Sequence, residues 1–343
     1  MKRIVNLLLL IALILSGIYL PGDSTKERIE KHRQELMKKY PLPEINQELK
    51  RSFSFPNEKQ IEQDIYIKNP YDLAIDKSGL VYVVDQAGHK IVVFDSAGKF
   101  VRNIGQNGQG PTDLFRPISI AVWNDQIVVS ETGNLRIQFL DKSGKYIKSF
   151  RTFRAYLSIV MDKDGLIYGV PLTLGGKSTI VDVLNQEGKL INSFGEKSKY
   201  LRSSTMFKIQ IFIDANEDIY IGRTIPGIIE KYTKKGQLIE KIKINYPLII
   251  DKAKIQTSKK VSKRYATSFT DFFVLGESIF VSFFYPRFEI IELTMKGKLK
   301  KVFWNTEFNS YHHINLTLNP LKDKLVFYVA RVFPEQQIDK FSY

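Results

Sequence analysis

Short apolar runs divided by turn residues recur along this chain. In residues 76–105, DKSGLVYVVDQAGHKIVVFDSAGKFVRNIG, three runs rich in Val, Ile and aromatic residues follow the turns KSG, QAG and SAG. Each run has the length of an ordinary strand, and each turn suits a tight antiparallel connection. The pattern predicts a β-meander over this stretch.

The same pattern returns at regular intervals, so internal repeats decide the fold. We letter the strands of one unit a to d, and the turn before strand d contains a glycine in five places. The separations of these glycines are 46, 44, 48 and 61 residues, which suits blades of four antiparallel strands. The five glycines are Gly98, Gly144, Gly188, Gly236 and Gly297.

A sixth unit is split between the two ends of the chain. Residues 314–319 and 324–330 are predicted as its strands a and b, and residues 337–343 as strand c. A missing strand d would leave an open edge that is prone to aggregation, and ELKRSFSF at 48–55 resembles the other outer strands. We therefore predict an all-β, six-bladed β-propeller over 48–343, closed by this N-terminal strand. Regular four-strand periodicity disfavours a β-sandwich or an open β-array.

The N-terminal segment has the composition of an export signal. Lys2 and Arg3 precede an apolar run of 17 residues at 4–20, close to the minimum length for spanning a bilayer. We expect residues 1–20 to be an apolar helix, either a cleaved signal peptide or a retained membrane anchor. Both place the propeller outside the cytoplasm, in the periplasm or at the cell surface, membrane-anchored or secreted. Residues 21–47 are predicted as a helical stalk or linker, since their charges recur at helical spacing.

Composition narrows the chemistry. The chain contains no cysteine, which excludes disulfides, thiolate metal sites and a cysteine nucleophile. Lys and Arg total 51 against 36 for Asp and Glu, a formal net charge of +15. Such an excess attracts nucleic acid or anionic surfaces. We expect no nucleic-acid partner for an exported propeller and assign most of this charge to solvated outer strands.

Two strand groups and one linker resemble a known family. PYDLAIDKSGLVYVVDQAGHKIVVFD and ETGNLRIQFLDKSGKYIKSF are similar to NHL repeats, in which an Asp closes strand b and a basic residue opens strand c. IGQNGQGPTDLFRPISIAV resembles the NHL linker and that of exported bacterial six-bladed propellers with an IG-x-x-GQGP sequence. The resemblance implies the fold and a binding platform, but no single chemistry, because such propellers host binding proteins, lyases and lactonases. Within the linker we expect Gly105, Gly108 and Gly110 to adopt positive φ.

Aligned inner strands place a polar residue at the same position of every unit, between apolar neighbours. Six inner strands surround the axis of a propeller, so these side chains are predicted to ring one mouth of its channel. They form either structural hydrogen bonds or a ligand funnel. Asp72, Asp271 and Asn315 are also candidate oxygen ligands for calcium, and no other cofactor is predicted. The predicted ring consists of Asp72, Ser119, Ser158, Gln210, Asp271 and Asn315.

Basic residues gather in the b–c turns and in the linkers between units, which the topology brings to one face, here called the loop face. The longest insertions, 171–179 and 245–268, lie there, and the second is predicted to contain a short basic helix. Variable loops on a rigid scaffold are where binding usually resides, and Arg suits carboxylates and phosphates. The candidates are His89, Arg116, Arg136, Arg154, Arg223, Arg287, His313 and Arg331, with Tyr156, Phe284 and Tyr285 as stacking surface.

Two functions are compatible with these patterns. The first is an exported, membrane-tethered platform that binds an envelope protein, peptide or glycan through the loop face. The second is an enzyme of the lyase or lactonase type that uses the polar channel mouth, with or without a divalent cation. No Ser-His-Asp order, paired-carboxylate motif or cofactor fingerprint is detectable in the sequence, so we favour the binding platform.

Overall fold

The computed structural model describes residues 23–172, 179–196, 209–224, 227–248, 269–283, 287–305, 316–318, 325–331 and 336–342. Within these ranges lie two helices, α1 (Asp23–Lys39) and α2 (Glu58–Glu62), and neither is long and apolar enough to cross a membrane. The predicted apolar helix at 1–20 and the predicted basic helix within 245–268 lie outside the described residues. The division of the chain at residues 20 and 47 stays a prediction.

The strands form six blades, each with four antiparallel strands in order a to d from the axis outwards. Two strands precede the first complete blade, β1 (Asn46–Glu48) and β2 (Arg51–Phe55). Blade 1 contains β3 (Pro70–Ile75), β4 (Val81–Asp85), β5 (Lys90–Phe94) and β6 (Phe100–Ile104). Blade 2 contains β7 (Pro117–Trp123), β8 (Gln126–Glu131), β9 (Arg136–Asp141) and β10 (Tyr146–Arg151). Blade 3 contains β11 (Tyr156–Met161), β12 (Ile167–Pro171), β13 (Thr179–Leu184) and β14 (Leu190–Glu196).

The last three blades repeat this order, and blade 6 takes its outer strand from the N-terminal region. Blade 4 contains β15 (Ile209–Ile213), β16 (Ile219–Arg223), β17 (Ile228–Tyr232) and β18 (Leu238–Lys243). Blade 5 contains β19 (Asp271–Leu275), β20 (Ser278–Phe283), β21 (Phe288–Thr294) and β22 (Leu299–Asn305). Blade 6 contains β23 (Leu316–Leu318), β24 (Val326–Arg331) and β25 (Gln337–Ser342), with β2 outermost.

Burial across a blade follows from the stacking of blades face to face. The middle strand β4, VYVVD, is buried at every residue, because each of its faces packs against a neighbouring blade. The outer strand β6, FVRNI, alternates between exposed and covered side chains. The core therefore consists of six apolar clusters, one at each interface between blades.

The ring closes between blades 6 and 1. Inner strand β23 lies beside both β19 and β3, so the six inner strands follow one another around the axis. The closing cluster combines Phe55 and Tyr328 of blade 6 with Val83 of blade 1. The predicted all-β, six-bladed propeller with four-stranded blades is confirmed.

Each c–d turn packs a glycine against the outer strand of the preceding blade. These glycines have φ between +76° and +95°, a region in which L side chains are strained. A Cβ at Gly144 would lie 2.8 Å from the side chain of Ile104, and a Cβ at Gly188 would lie 2.4 Å from Phe150. Both the backbone conformation and the close approach require glycine, which explains the regular spacing of these residues in the sequence.

Residues 46–55, here called the N-terminal strap, contact blades 5 and 6. β1 adds to blade 5 as a fifth strand, parallel to β22, and β2 pairs antiparallel with β25. Leu49 between them is 1% exposed and packs in the cluster shared by the two blades. Its amide donates to the Trp304 carbonyl at 2.7 Å, and its carbonyl accepts from the Asn305 amide group at 2.6 Å.

Candidate functional site

A buried carboxylate lies near the b–c end of every blade. These six side chains are no more than 4% exposed, so each needs a partner to offset the loss of hydration. In blades 1 and 2 the acid ends strand b, and in the other four blades it lies within strand c. The acids are Asp85, Glu131, Asp182, Glu230, Glu289 and Asp339.

In blades 2 to 6 the partner is an arginine, and all five arginines belong to the predicted loop-face set. Their guanidinium groups lie against carboxylates within the body of the propeller, and four of the five residues are less than 10% exposed. Their direct contact with a ligand stays a prediction. The pairs are Arg136–Glu131 (2.5 Å), Arg154–Asp182 (3.7 Å), Arg223–Glu230 (2.7 Å), Arg287–Glu289 (2.5 Å) and Arg331–Asp339 (3.0 Å).

Burial and pairing set the protonation of these acids in opposite directions. Burial raises the pKa of Glu289 and of Asp339, and the arginine beside each carboxylate offsets only part of that effect. Burial also acts on Glu230, but hydrogen bonds from Arg223 and Tyr232 outweigh it and lower the pKa of this carboxyl. The ring of acids therefore has no uniform protonation behaviour.

Arg136 fixes the linker between blades 1 and 2, residues 105–116. Its guanidinium donates to the carbonyls of Gln109 and Gly110 at 3.1 Å and to that of Asp113 at 2.6 Å. A side chain that is 9% exposed thus holds a segment whose own side chains are largely in solvent. The linker has no helix or strand of its own and is held by these three bonds to Arg136.

Two of the linker glycines are needed for a reason other than the predicted one. Gly105 has φ of +82°, as expected, whereas Gly108 and Gly110 do not have positive φ. The Asp113 carboxylate accepts from the Gly110 amide at 2.8 Å and occupies the space beside both residues. A Cβ at Gly108 would lie 2.3 Å from that carboxylate. Close approach of the Asp113 side chain therefore favours glycine at position 108, whereas at Gly110 only the end of that side chain would have to shift.

Backbone hydrogen bonds join the loops of blades 1 and 2 into one continuous surface. The His89 imidazole accepts from the Arg116 amide at 3.0 Å, and the Arg116 carbonyl accepts from the Thr132 amide at 3.0 Å. The Leu135 carbonyl accepts from the Thr152 amide at 2.7 Å. The predicted positions His89 and Arg116 thus lie in this surface, and Arg116 is exposed.

An aromatic side chain that sequence reasoning missed stands out on this surface. Phe153, in the linker before blade 3, is 104% exposed. Leu135, whose carbonyl accepts from the residue before Phe153, is 43% exposed. The next residue, Arg154, forms an ion pair with Asp182, and the Thr152 amide donates to the Leu135 carbonyl, so Phe153 lies between two tertiary contacts. The available signal was a phenylalanine in the linker TFRA, outside every predicted strand.

The described members of the predicted polar ring share one register position, opposite the next-to-last residue of strand b. Asp72 accepts from the Ser119 hydroxyl at 2.8 Å and from the Ile120 amide at 3.0 Å, and the Ser119 hydroxyl accepts from the Ile159 amide at 3.1 Å. These bonds join the inner strands of blades 1, 2 and 3. Half-buried side chains occupy the corresponding positions of blades 3, 4 and 5, namely Ser158, Gln210 and Asp271.

Several predicted site residues lie outside the described part of the chain. In the ranges that are described, no three His, Asp or Glu side chains are placed together to hold a metal ion. The candidate calcium site at Asp72, Asp271 and Asn315 includes one residue outside those ranges and stays a prediction. Also outside them are His313, Phe284, Tyr285 and most of loop 171–179.

These features define the class of the protein, an all-β six-bladed propeller with four-stranded blades. Residues 60–285 match the family model described as the 6-bladed beta-propeller, and the chain belongs to that family. The predicted resemblance to NHL repeats is confirmed. The human E3 ubiquitin-protein ligase NHLRC1 is 32% identical over 79 residues, which are 22% of this chain and 20% of that protein. The Drosophila melanogaster protein brain tumor is 25% identical over 131 residues, 37% of this chain and 12% of that protein.

The chain thus spans a fifth or less of the length of these curated relatives. Two solved structures share the fold at low identity. A Bacteroides fragilis protein described as exported has a TM-score of 0.61 and 13% identity, with 87% of this chain and 99% of that chain covered. A virginiamycin B lyase from Staphylococcus aureus has a TM-score of 0.53 and 14% identity, with 85% and 87% covered. At this identity the likeness concerns the fold alone.

Proposed function

We propose that this propeller is a binding platform that holds a polypeptide partner through the loop face of blades 1 to 3. The observation that carries the proposal is the full exposure of Phe153 on a segment fixed by the bond to Leu135 and by the Arg154 ion pair. An exposed aromatic ring on a rigid support loses little conformational entropy on binding, which is the property of an interface anchor. The hydrogen-bonded loops around it supply a preformed rim.

The arginine–carboxylate pairs support the same proposal. They hold the loop ends in place from within the blades and leave the exposed positions free to differ in chemistry. The similarity to NHLRC1 and to the protein brain tumor covers only part of this chain. It does not identify a ligand for this surface. The proposal therefore rests on the geometry of the loop face.

Photo-crosslinking at two exposed positions tests the platform. A benzoylphenylalanine in place of Phe153 is expected to crosslink a polypeptide in the envelope fraction of the source cells. The same group in place of Ile147, which is 41% exposed on outer strand β10, is expected to give none. Phe153→Ser should then abolish recovery of that polypeptide, and Ile147→Ser should leave it unchanged. Equal recovery with both serine variants would rule out the loop face as the binding surface.

We also propose that the protein works outside the cytoplasm and is tethered to a membrane by residues 1–20. The apolar run at 4–20 and the fold shared with a protein described as exported support this. We further propose that the N-terminal strap closes the ring, because β2 supplies the outer strand of blade 6 and Leu49 fills the interface with blade 5.

A further inference from the structure

Blade 1 departs from the acid–arginine pattern of the other blades. Asp85 and Lys90 are register partners, as Glu131 and Arg136 are in blade 2. The Asp85 carboxylate, however, accepts backbone amides of the preceding loop and of its own turn, from Lys68 (3.0 Å), Asn69 (2.8 Å) and Gly88 (3.0 Å). Three amides thus donate to this carboxylate, and the described residues include no hydrogen bond or ion pair between it and the ammonium of Lys90.

The ammonium of Lys90 is found instead against an aromatic ring. Its Nζ lies 4.9 Å from the ring centroid of Tyr66, and Nζ of Lys68 lies 5.8 Å from the same centroid. Tyr66 is 42% exposed, and cation–π contacts of this length hold an ammonium in place at the surface. One tyrosine thus positions two lysines side by side on the loop face.

None of these cations forms a close ion pair with a carboxylate within the described ranges. Neither Lys68, Lys90 nor Arg116 has a described carboxylate oxygen within 4.0 Å, although five other arginines of the face do. Burial lowers the pKa of Lys90, the Asp85 charge opposes this, and repulsion from Lys68 adds to the lowering. A bound anion would relieve that repulsion.

We propose that Tyr66, Lys68, Lys90 and Arg116 form a recognition site for the carboxylates of an acidic peptide segment. The inference rests on the proposed function, because it names the chemistry of the partner on the same face. The backbone amide of Arg116 donates to the imidazole of His89, the residue before Lys90, which places Arg116 next to the cluster along the chain surface. Its exposed guanidinium offers the paired donors that suit a carboxylate.

The ring geometry favours a peptide over an anionic glycan. A sugar that stacks on tyrosine competes for the ring with the two ammonium groups that already contact it. The same surface carries the apolar anchors Leu135 and Phe153, which suit polypeptide side chains. An acidic segment with a neighbouring apolar residue would use both parts of the face, and the net charge of +15 would draw it in.

Binding of a defined peptide tests the site. The probe is hexaglutamate with a neutral fluorophore, titrated with the full chain at low ionic strength and followed by fluorescence anisotropy. Lys68→Met and Lys90→Met keep the apolar stems and remove one charge each, so each is expected to weaken binding about tenfold. The double variant Lys145→Met/Lys189→Met removes two exposed lysines from the c–d turns of blades 2 and 3 and should leave affinity within about twofold.

Three outcomes would overturn the inference. These are wild-type affinity in the Lys68→Met/Lys90→Met variant with an unchanged Tm, tighter binding of an oligogalacturonate than of hexaglutamate, and no hexaglutamate binding by the wild-type chain. Loss of partner recovery in Phe153→Ser, combined with any of these, would leave the platform standing without its acidic recognition site. Lysine-dependent hexaglutamate binding with unchanged partner recovery in Phe153→Ser would leave the anion site without the platform.

Discussion

At the scale of single residues, the carboxylate beside a basic side chain decides what that side chain does. Arg136 is the register partner of Glu131, whose carboxylate forms an ion pair with its guanidinium. The buried guanidinium therefore supports the linker. Lys90 has the same place in blade 1, but Asp85 is satisfied by backbone amides. Equivalent positions of the repeat therefore have different roles. Arg136 stabilises the structure of blade 2, whereas Lys90 of blade 1 presents a positive charge at the surface.

The c–d turn glycines give a prediction at this scale. Gly144→Ala combines φ of +95° with a Cβ 2.8 Å from Ile104, so we expect a loss of about 2–4 kcal/mol from strain and overpacking together. Gly276→Ala is the matched control, because φ is +56° and nothing lies within 4 Å of the added Cβ. It should cost about 1 kcal/mol. Urea denaturation of both variants measures the difference, and equal losses would show that close approach contributes nothing.

At the scale of elements, the N-terminal strap has no counterpart elsewhere in the described chain. β1 extends blade 5 by three residues, Leu49 fills the interface, and β2 supplies the outer edge of blade 6. Its contacts join two neighbouring blades that are otherwise linked by packing and by the chain between them. The strap is therefore where the proposed closure of the ring can be tested.

Two deletion variants make that test. Removal of residues 1–39 takes away α1 but spares the strap together with Tyr40 and Leu42, which pack against blades 4 and 5, and should leave the thermal unfolding of the propeller unchanged. Removal of residues 1–56 takes away Leu49 and Phe55, both 1% exposed, and Phe55 alone accounts for about 3–5 kcal/mol by analogy with Phe→Ala changes in cores. We expect a lower Tm and aggregation for the second variant only. Equal Tm values would mean that the ring is closed in another way.

At the scale of the whole molecule, acids in different blades give opposite contributions to stability as pH changes. The folded pKa of Glu230 lies below its ordinary value of 4.5, so its contribution is present above pH 4.5 and is lost as pH falls. The folded pKa of Glu289 lies above 4.5. Its unfolded form ionises first, so its contribution is present at low pH and is lost as pH rises above 4.5.

Glutamine variants separate the two effects. Glu230→Gln should reduce the loss of unfolding free energy as pH falls below 4.5. Glu289→Gln should reduce the loss of unfolding free energy as pH rises above 4.5. A pKa difference of one unit corresponds to about 1.4 kcal/mol over the full titration. Urea denaturation across this pH range gives both slopes. The same change of slope in both variants would contradict the assignment of opposite pKa directions.

The fold was largely predictable because its signals are local. A turn such as SAG before Lys99 needs a glycine because of its positive φ, and the recurrence of that turn marks five of the six blades. The equivalent register of Asp72 and Ser119 was predictable for the same reason, since the strand period alone aligns these positions.

The site was less predictable because its contacts are tertiary. Gly108 requires glycine only because Asp113 folds back on it, and Phe153 is notable only once its exposure is known. The three-residue strand β1 has no periodic signal, and its partner strand lies about 256 residues further along the chain. The ion pairs of the predicted arginines became visible only when strands b and c were placed side by side.

The pairing of β2 with β25 also has a consequence for how the protein is made. Ser54 and its partner Asp339 are separated by 285 residues. β2 is therefore synthesised early but cannot pair until β25 has been synthesised. During synthesis, and during any transfer across a membrane with the N-terminus leading, Phe53 and Phe55 have no sheet to join. A chain that stops short of β25 keeps these aromatic residues unpaired, which would mark it for chaperones and proteases as incomplete.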